Sequence, residues 1–384
     1  LSCDVLLVGG GLANSLIALE MKSRRPDLRV VMLERRTERD VDHTWCVFKT
    51  DLSDRSWDLL SPLFDNVWPS YDIAFPTHSR RLATPYARLT SERLGERIEA
   101  VLGADLVRGA AVSAVTPSGA DCDDGRRFFA PLVIDGRGFT GSAALRLAYQ
   151  KFVGLEVELD RPHELNAPIV MDATVAQLDG FRFLYVLPLA TDRLLIEDTR
   201  YSNGSNLDVA ALTAEAHCYA AVHGWTIKAV ARSETGVLPV VLDGDIGRFW
   251  RETVPGVPTV GVAGAFFHPT TGYSLPFAAR VATAIADHPK PTSDTVRRLT
   301  ERMSKQGWAR GRLYRGLNRM MFEVAEPENR YRVLQRFYTL PWGLIERFYA
   351  SRLSPPDQLR ILVGKPPIPM APALWAFLNM QGRL

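Results

Sequence analysis

Two short segments of the chain hold residues whose types and spacing suit chemistry. Leu194-Leu195-Ile196-Glu197-Asp198-Thr199 is an apolar strand that suddenly presents two adjacent carboxylates. Side chains alternate along a strand, so Glu197 and Asp198 point to opposite faces, Glu197 on the side of Leu195 and Thr199. On residue types alone the pair either does acid–base work or merely ends a strand at a turn. The second segment is Gly9-Gly10-Gly11, between a strand over residues 4–8 and a helix over residues 12–22. A tight strand-to-helix bend needs glycine, and so does close approach of a pyrophosphate to the open N–H groups of a helix start. Gly9 and Gly11 hold the first two places of a GxGxxG pattern. The third is Asn14, so the packing of helix on sheet must accept a side chain there. Glu34 ends the next strand, 23 residues beyond Gly11, where an acid holds a ribose hydroxyl. The βαβ unit therefore predicts a dinucleotide with a free 2′-hydroxyl, which argues against NADP at this site.

Two later segments favour FAD over NAD. Asp135-Gly136-Arg137-Gly138 follows a buried strand, where many FAD proteins bring a second loop to the dinucleotide. Gly261-Val262-Ala263-Gly264-Ala265 follows a further strand-like run that begins near Pro258. Flavin hydroxylase folds usually carry Gly-Asp there, and Ala265 after Gly264 leaves that acid out.

The elements that must position these residues are legible in outline. Residues 88–102 are predicted as a helix, with Leu94, Ile98 and Leu102 on one face. Residues 151–159 alternate, and residues 181–201 make a hairpin turning at Thr191-Asp192. Pro276 suits the first turn of a helix running on from Phe277, and the chain beyond about 295 is helical, with Leu313, Leu317, Met320, Met321 and Val324 on one stripe. The expected architecture is α/β: a Rossmann-like FAD-binding domain from 1–150 plus 255–295, an interleaved antiparallel β-sheet substrate domain over 151–254, and a helical lobe over 296–384.

Four scattered cysteines without a CxxC pair support neither a disulfide framework nor a zinc site and suit a reducing cytoplasm. With a strand beginning at Asp4, no signal peptide is expected, and no apolar run reaches the roughly 18–20 residues that span a bilayer. Residues 291–384 carry 16 Lys or Arg against 7 Asp or Glu, and 11 of the 36 aromatics. Such a segment suits either an anionic membrane surface or a helical lobe with a basic solvated face. The histidines show no metal-ligand spacing, and no nucleic-acid reader motif is present.

The string His268-Pro269-Thr270-Thr271-Gly272-Tyr273-Ser274-Leu275-Pro276 resembles the HPTTGYSLP segment of bacterial lycopene cyclases. Gly9-Gly10-Gly11-Leu12-Ala13-Asn14 is similar to that family's GGGLAN opening, which accounts for the missing third glycine. Asp42-His43-Thr44-Trp45, Arg336-Phe337-Tyr338 and Ile361-Leu362-Val363-Gly364-Lys365-Pro366-Pro367 resemble other segments of it, so the likeness spans nearly the whole chain. The resemblance implies a flavin hydroxylase-type fold, with FAD active in its reduced form, NAD(P)H as reductant, and a reaction without net redox change. It also implies conversion of the ψ end groups of lycopene to β-ionone rings, giving γ-carotene and then β-carotene, at the inner face of the cell membrane.

Under that resemblance Glu197 matches the family's essential acid, and Asp198 is either supportive or structural. The acid must protonate an alkene, a very weak base, so it has to sit in a dry site with its carboxyl kept protonated by burial. The resulting cation needs aromatic or anionic surroundings and no water. The loop residues Gly264, His268, Pro269, Thr271, Gly272 and Tyr273 are expected near the flavin, with His268 organising the loop or touching the flavin. The helix they feed is expected to point its N-terminus at the flavin's N1 and O2 edge. His43 and Trp45 either line the isoprenoid tunnel or pack beneath the flavin. Two other functions compete: a flavin monooxygenase acting on an isoprenoid or aromatic substrate, and a non-catalytic carotenoid carrier.

Overall fold

The computed structural model describes residues 1–39 and 43–363, so Asp42 and residues 364–384 lie outside the described part. Four parallel strands form the first sheet, in the order Leu132–Asp135, Val5–Val8, Val30–Glu34, Leu106–Arg108. The first three are apolar runs buried on both faces, as parallel strands covered by helices must be. Helix Leu12–Arg24 connects the first two strands in sequence and packs on helices Leu275–Ala286 and Ser91–Leu102. Helix Ser293–Arg310 closes the far edge, where the Ser293 hydroxyl accepts from the Val133 N–H at 2.9 Å.

The residues expected as one helix over 88–102 divide at Thr90. Residues Tyr86–Thr90 are a strand, and the helix runs Ser91–Leu102 with the Thr90 hydroxyl accepting from the Arg93 N–H at 3.3 Å. The apolar stripe that announces the helix starts only at Leu94, and Thr90 is a good N-cap, so strand and helix abut without a loop. The run from Pro258 is not a strand. It makes one parallel bridge, Asp135 to Thr259, before Gly261–Gly264 turns as a 3-10 helix. Pro258 has no N–H to donate to a ladder, and Ala265 is held at φ 61°.

The second sheet has seven strands in the order Ile227–Gly244, Leu145–Leu159, Arg193–Ser202, Phe181–Ala190, Ile169–Asp172, Tyr71–Phe75, His78–Leu82. The hairpin of the two ten-residue strands turns at Thr191-Asp192, as the sequence predicts. The last two strands come from well before residue 151, and Ile169–Asp172 runs parallel to Tyr71–Phe75. One face of this sheet, with Val153, Leu155, Leu184, Val186, Leu194 and Ile196, packs on helix Val209–Val222. The opposite face carries Phe183, Tyr185, Leu195 and Tyr201 into a core shared with Tyr314, Phe337, Phe348 and Tyr349 of the C-terminal helices.

Asp198 belongs to the helix-covered face and is fully buried. Its two oxygens accept from Arg182 Nε at 2.7 Å and Arg200 Nε at 2.9 Å, and Arg182 reaches on to Glu215 of helix Val209–Val222 at 2.8 Å. This cluster ties three elements together and turns its back on the aromatic face. Removing one member of a buried ion cluster leaves the others uncompensated. Asp198→Ala is expected to lower unfolding free energy by about 3–5 kcal/mol in urea denaturation. A loss under about 1 kcal/mol, the level of a surface ion pair, would show that the cluster does not hold the sheet to the helix.

Candidate functional site

Gly9 sits at φ +93°, where a side chain is strained, and a Cβ there would lie 2.9 Å from the Gly136 carbonyl oxygen. The turn after Val5–Val8 and the loop after Leu132–Asp135 are thus pressed backbone to backbone. Asn14 explains the departure from GxGxxG. Its amide donates to the Val8 and Gly9 carbonyls at 3.0 and 2.8 Å, pinning the turn. Gly136 makes room for it, since a Cβ on Gly136 would fall 2.5 Å from Asn14 Nδ2. Glu34 accepts from the N–H groups of Gly10 at 2.7 Å and Arg36 at 2.9 Å. Its carboxylate still has lone pairs for a ribose hydroxyl.

These residues border a cleft of about 510 Å³ that runs past Gly9, Gly10, Gly11, Glu34, Gly136, Arg137 and Gly138 to His43 and Trp45. Helix Leu12–Arg24 opens on it with no side-chain cap and no acid in its first turn, so its N–H groups are left for an anion. The residues present fit a dinucleotide. Leu12 and Ala13 are buried in that first turn and support the cleft from behind. Asp135 does not reach it: Arg137, two residues on, holds its carboxylate in a bidentate pair at 2.9 Å. Gly264 does not line it either. A Cβ there would meet the Thr259 carbonyl oxygen at 2.6 Å and the Phe266 ring at 2.8 Å, so this glycine serves close packing.

A second cavity, of about 290 Å³, begins where the cleft ends, and His43 and Trp45 line both. Its walls come from the aromatic face of the seven-stranded sheet, with Phe152, Phe183, Tyr185, Leu195 and Tyr201, and from Thr271, Gly272, Tyr273 and Tyr349 opposite. Phenol hydroxyls chain together behind them, Tyr86 to Tyr185 at 2.9 Å and Tyr86 to Tyr273 at 2.8 Å. Burial pushes these hydroxyls well above the ordinary tyrosine range. The Cys46 thiol is pushed up to about 12 for the same reason. The lining holds two carboxyl groups, Glu197 and Glu234.

Glu197 projects into this chamber opposite Tyr185, its cross-strand neighbour. Among the described residues its hydrogen-bond partner is the Thr199 hydroxyl, which donates at 2.5 Å, and no Lys or Arg pairs with it. Burial pushes its pKa up to about 8, with the negative charges of Glu234 and Asp198 adding to the effect and Thr199 opposing it. The arrangement holds a protonated carboxyl against an aromatic, water-poor space at neutral pH.

His268 is fully buried and touches neither cavity. Its Nε2 faces the Phe348 carbonyl oxygen at 3.1 Å, and its Nδ1 accepts from the N–H groups of Thr270 and Thr271 at 3.3 and 3.2 Å. Burial holds its pKa down to about 3, so the ring is neutral and organises the loop. The Pro269 carbonyl accepts from Asn318 at 2.8 Å and braces the same loop against helix Arg312–Arg319. Thr271, Gly272 and Tyr273 are thereby delivered to the chamber. Sequence reasoning missed Glu234, Cys46 and most of the tyrosines. Glu234 lies in the polar run Arg232-Ser233-Glu234, and the nearby signal is Gly236, where a side chain would collide with the Phe152 ring at 2.3 Å.

The family described as lycopene cyclase protein matches residues 4–374. Lycopene beta-cyclase of Pseudescherichia vulneris is 46% identical over 376 residues, covering 98% of this chain and 97% of that protein. Among solved structures, the geranylgeranyl bacteriochlorophyll reductase-like protein of Thermoplasma acidophilum superposes over 99% of both chains, with a TM-score of 0.61 at 16% identity. The tetrameric form of 2-methyl-3-hydroxypyridine-5-carboxylic acid oxygenase covers 94% of this chain and 98% of its own, with a TM-score of 0.61 at 15% identity. The fold is of the flavin hydroxylase type.

A Cβ on Gly11 would meet only the Gly136 carbonyl oxygen, at 3.9 Å, and would otherwise project into the open cleft. Gly11→Ala is therefore expected to melt like the parent protein and to bind a dinucleotide at least tenfold more weakly in a fluorescence titration. Unchanged affinity would mean that the phosphates do not approach this turn.

Proposed function

The chain belongs to the lycopene cyclase family, and from that premise we propose that it is a lycopene β-cyclase in which Glu197 protonates the terminal alkene of a ψ end group. The observation that carries the reading is a buried carboxyl that no cation among the described residues pairs with, facing an aromatic chamber that opens onto a dinucleotide cleft. Protonation creates a tertiary cation, the neighbouring double bond closes the ring, and loss of a ring proton leaves the β double bond. The cation would be trapped by water, so the apolar walls and the neutral hydroxyls and thiol matter as much as the acid. Phe183, Tyr185 and Tyr201 line the space in which the positive charge would develop, where an aromatic ring can stabilise it.

The glycine turn, Glu34 and the Gly136–Gly138 loop would hold the adenosine diphosphate part of FAD, and Thr271 to Tyr273 would border its ring system. Reduced FAD supplies an electron-rich ring that stabilises nearby positive charge while the overall reaction leaves its oxidation state unchanged, and NAD(P)H is the reductant we assign. The chamber's size suits one end group, so the two ends of lycopene enter in turn, with γ-carotene released or reversed between them. We assign the enzyme to the intramolecular lyases or isomerases and place it at the inner face of the cell membrane. Support for surface attachment comes from the basic C-terminal segment and from exposed Trp342, Leu359, Leu362 and Val363. Among the described residues no helix is long and apolar enough to cross a membrane.

Purified protein incubated with lycopene in liposomes under anaerobic D2O is expected to give cyclic product only with reduced FAD, carrying one deuterium per ring. NAD(P)H should be consumed far below product. Lycopene recovered unchanged in both flavin states, or product that requires oxygen, would sink the reading.

Glu197→Gln is expected to lower turnover by about 10²–10⁴-fold while flavin binding and melting temperature hold. The acid must be protonated to act and its pKa lies near 8, so the parent rate is flat through neutral pH and falls as pH rises through about 8. A variant with near-parental turnover, or a parent rate that rises across that range, would remove Glu197 from the role.

A further inference from the structure

Ring closure puts one proton on the substrate and takes another off, so the site needs an acceptor as well as a donor. One row of the seven-stranded sheet holds both kinds of carboxyl. Tyr185, Glu197, Gly154 and Glu234 lie directly across from one another on four successive strands. Neighbouring strands stand roughly 4.8 Å apart, so the two glutamates are separated by about 10 Å of backbone with only a glycine between them. Gly154 is there for space: an added Cβ would lie 3.3 Å from Leu195 Cδ1 and 3.5 Å from Glu197 Oε2. Both glutamates line the chamber.

Their surroundings differ in kind. Among the described residues Glu197 receives one hydroxyl and no Lys or Arg pairs with it. Glu234 accepts from the Thr44 N–H at 3.0 Å, and its other oxygen lies 3.7 Å from Arg232 Nη2. The Arg232 guanidinium also donates to the Thr44 hydroxyl at 2.7 Å, so one N–H and one cation face this carboxylate from two separate segments. Burial raises both carboxyls, but Thr44, Arg232 and His43 oppose the rise at Glu234. Two carboxyls whose environments are pulled apart are the usual mark of an acid–base pair.

Resting on the cyclase reading, we infer that Glu234 is the proton acceptor of the reaction and that Gly154 keeps the space between acceptor and donor open to the end group. The Glu197 proton goes to the CH carbon of the terminal double bond, leaving the positive charge on its dimethyl carbon, to which the ring bond forms. The pair of electrons of the second double bond forms the ring bond, leaving the positive charge on the methyl-bearing carbon. The ring carbon that carries the polyene then gives its proton to Glu234, and the released electron pair becomes the β double bond. Carbon and hydrogen balance with no oxidant, and one proton passed from Glu234 back to Glu197, directly or through solvent, resets the site. The acceptor's position also selects the product, because loss of a proton from the neighbouring ring methylene gives an ε ring and loss from the methyl gives an exocyclic alkene.

The test compares parent, Glu197→Gln, Glu234→Gln and Glu234→Asp with reduced FAD. The substrates are ordinary lycopene and lycopene deuterated at the two chain-bearing ring-closing carbons. Flavin affinity and melting temperature are measured alongside. Glu234→Gln is expected to slow turnover by about 100-fold or more. It should also turn over deuterated lycopene more slowly than ordinary lycopene and release ε or exocyclic rings. Residual Glu197→Gln activity should respond to D2O and not to the carbon label. If Glu234→Gln is inactive or unstable, Glu234→Asp, which keeps the charge, carries the same two readouts. Pure β product from the Glu234 variants with no effect of the carbon label overturns the assignment, as does loss that only tracks flavin release or melting. Failure of the parent to cyclise lycopene would instead reject the cyclase reading itself.

Discussion

A carboxyl that stays protonated near neutral pH can tolerate neither bulk water nor a cation at contact distance, and much of this fold can be read as meeting that demand at Glu197. A guanidinium 4 Å away at an effective dielectric of 20 would favour the carboxylate by about 4 kcal/mol, or about three pKa units. That alone would return Glu197 to the ordinary carboxylate range. Arg182 and Arg200 lie on adjacent strands, close along the chain to Glu197, yet both are committed to Asp198 on the other face. The alternation of one strand thus decides the chemistry. A slip of one residue in the register of Arg193–Ser202 would exchange the two carboxyls, setting an ion-paired aspartate in the chamber and an unpaired glutamate against the helix. The buried Asp198 cluster guards against that slip, since Asp198 and Arg200 would move together and leave Arg182, anchored on the neighbouring strand and to Glu215, without the aspartate.

The two cavities are built by different means and meet over few residues. The dinucleotide cleft is a matter of backbone: Gly9 against Gly136, Gly10 against Glu34, and Asn14 bonded into the turn it follows. The chamber is a matter of side chains, with aromatic rings from one sheet facing a loop that His268 holds in shape through three hydrogen-bonding partners. That loop begins at the bridge between Asp135 and Thr259, on the edge of the nucleotide sheet, and ends in helix Leu275–Ala286, which packs on Leu12–Arg24. One continuous segment therefore fixes the chamber wall relative to the glycine turn. His43 and Trp45 supply the junction from the opposite side.

What was legible in the sequence follows the range of the interactions involved. The glycine turn and Glu34 could be read because a strand, a turn and a helix declare themselves within a few tens of residues. The opposite orientation of Glu197 and Asp198 could be read because a period of two needs no tertiary knowledge. Glu234 could not, since its neighbours across the sheet are 80 and 37 residues earlier in the chain, and Gly236 nearby announces close packing and not an acid–base role. The outer strands Tyr71–Phe75 and His78–Leu82 were missed for the same reason: they join a sheet whose other members begin some 60 residues later. Asp135 and Gly264 show the other limit of motif reasoning. A motif predicts the path of the backbone, but Arg137 claims the Asp135 carboxylate locally, and Gly264 is spent on packing against Thr259 and Phe266.

Ala265, where flavin hydroxylase folds usually carry an acid, lines a separate cavity with Arg280, Arg310 and Arg315, while Val262, Tyr273 and Leu275 of the same stretch wall the chamber. In a site whose donor depends on the absence of nearby counter-charge, each further ionised group has to be held by a partner or kept away. Glu234 is held by Thr44 and Arg232, Asp198 by two arginines, and Glu34 by two backbone N–H groups of the cleft. Among the described residues, Glu197 alone of these four has neither a cation nor a backbone N–H as partner. The contrast is one of partners: burial favours the protonated form of a carboxyl, and only a cation or a backbone N–H at contact distance opposes it, so the carboxyl left without either is the one suited to act as the acid.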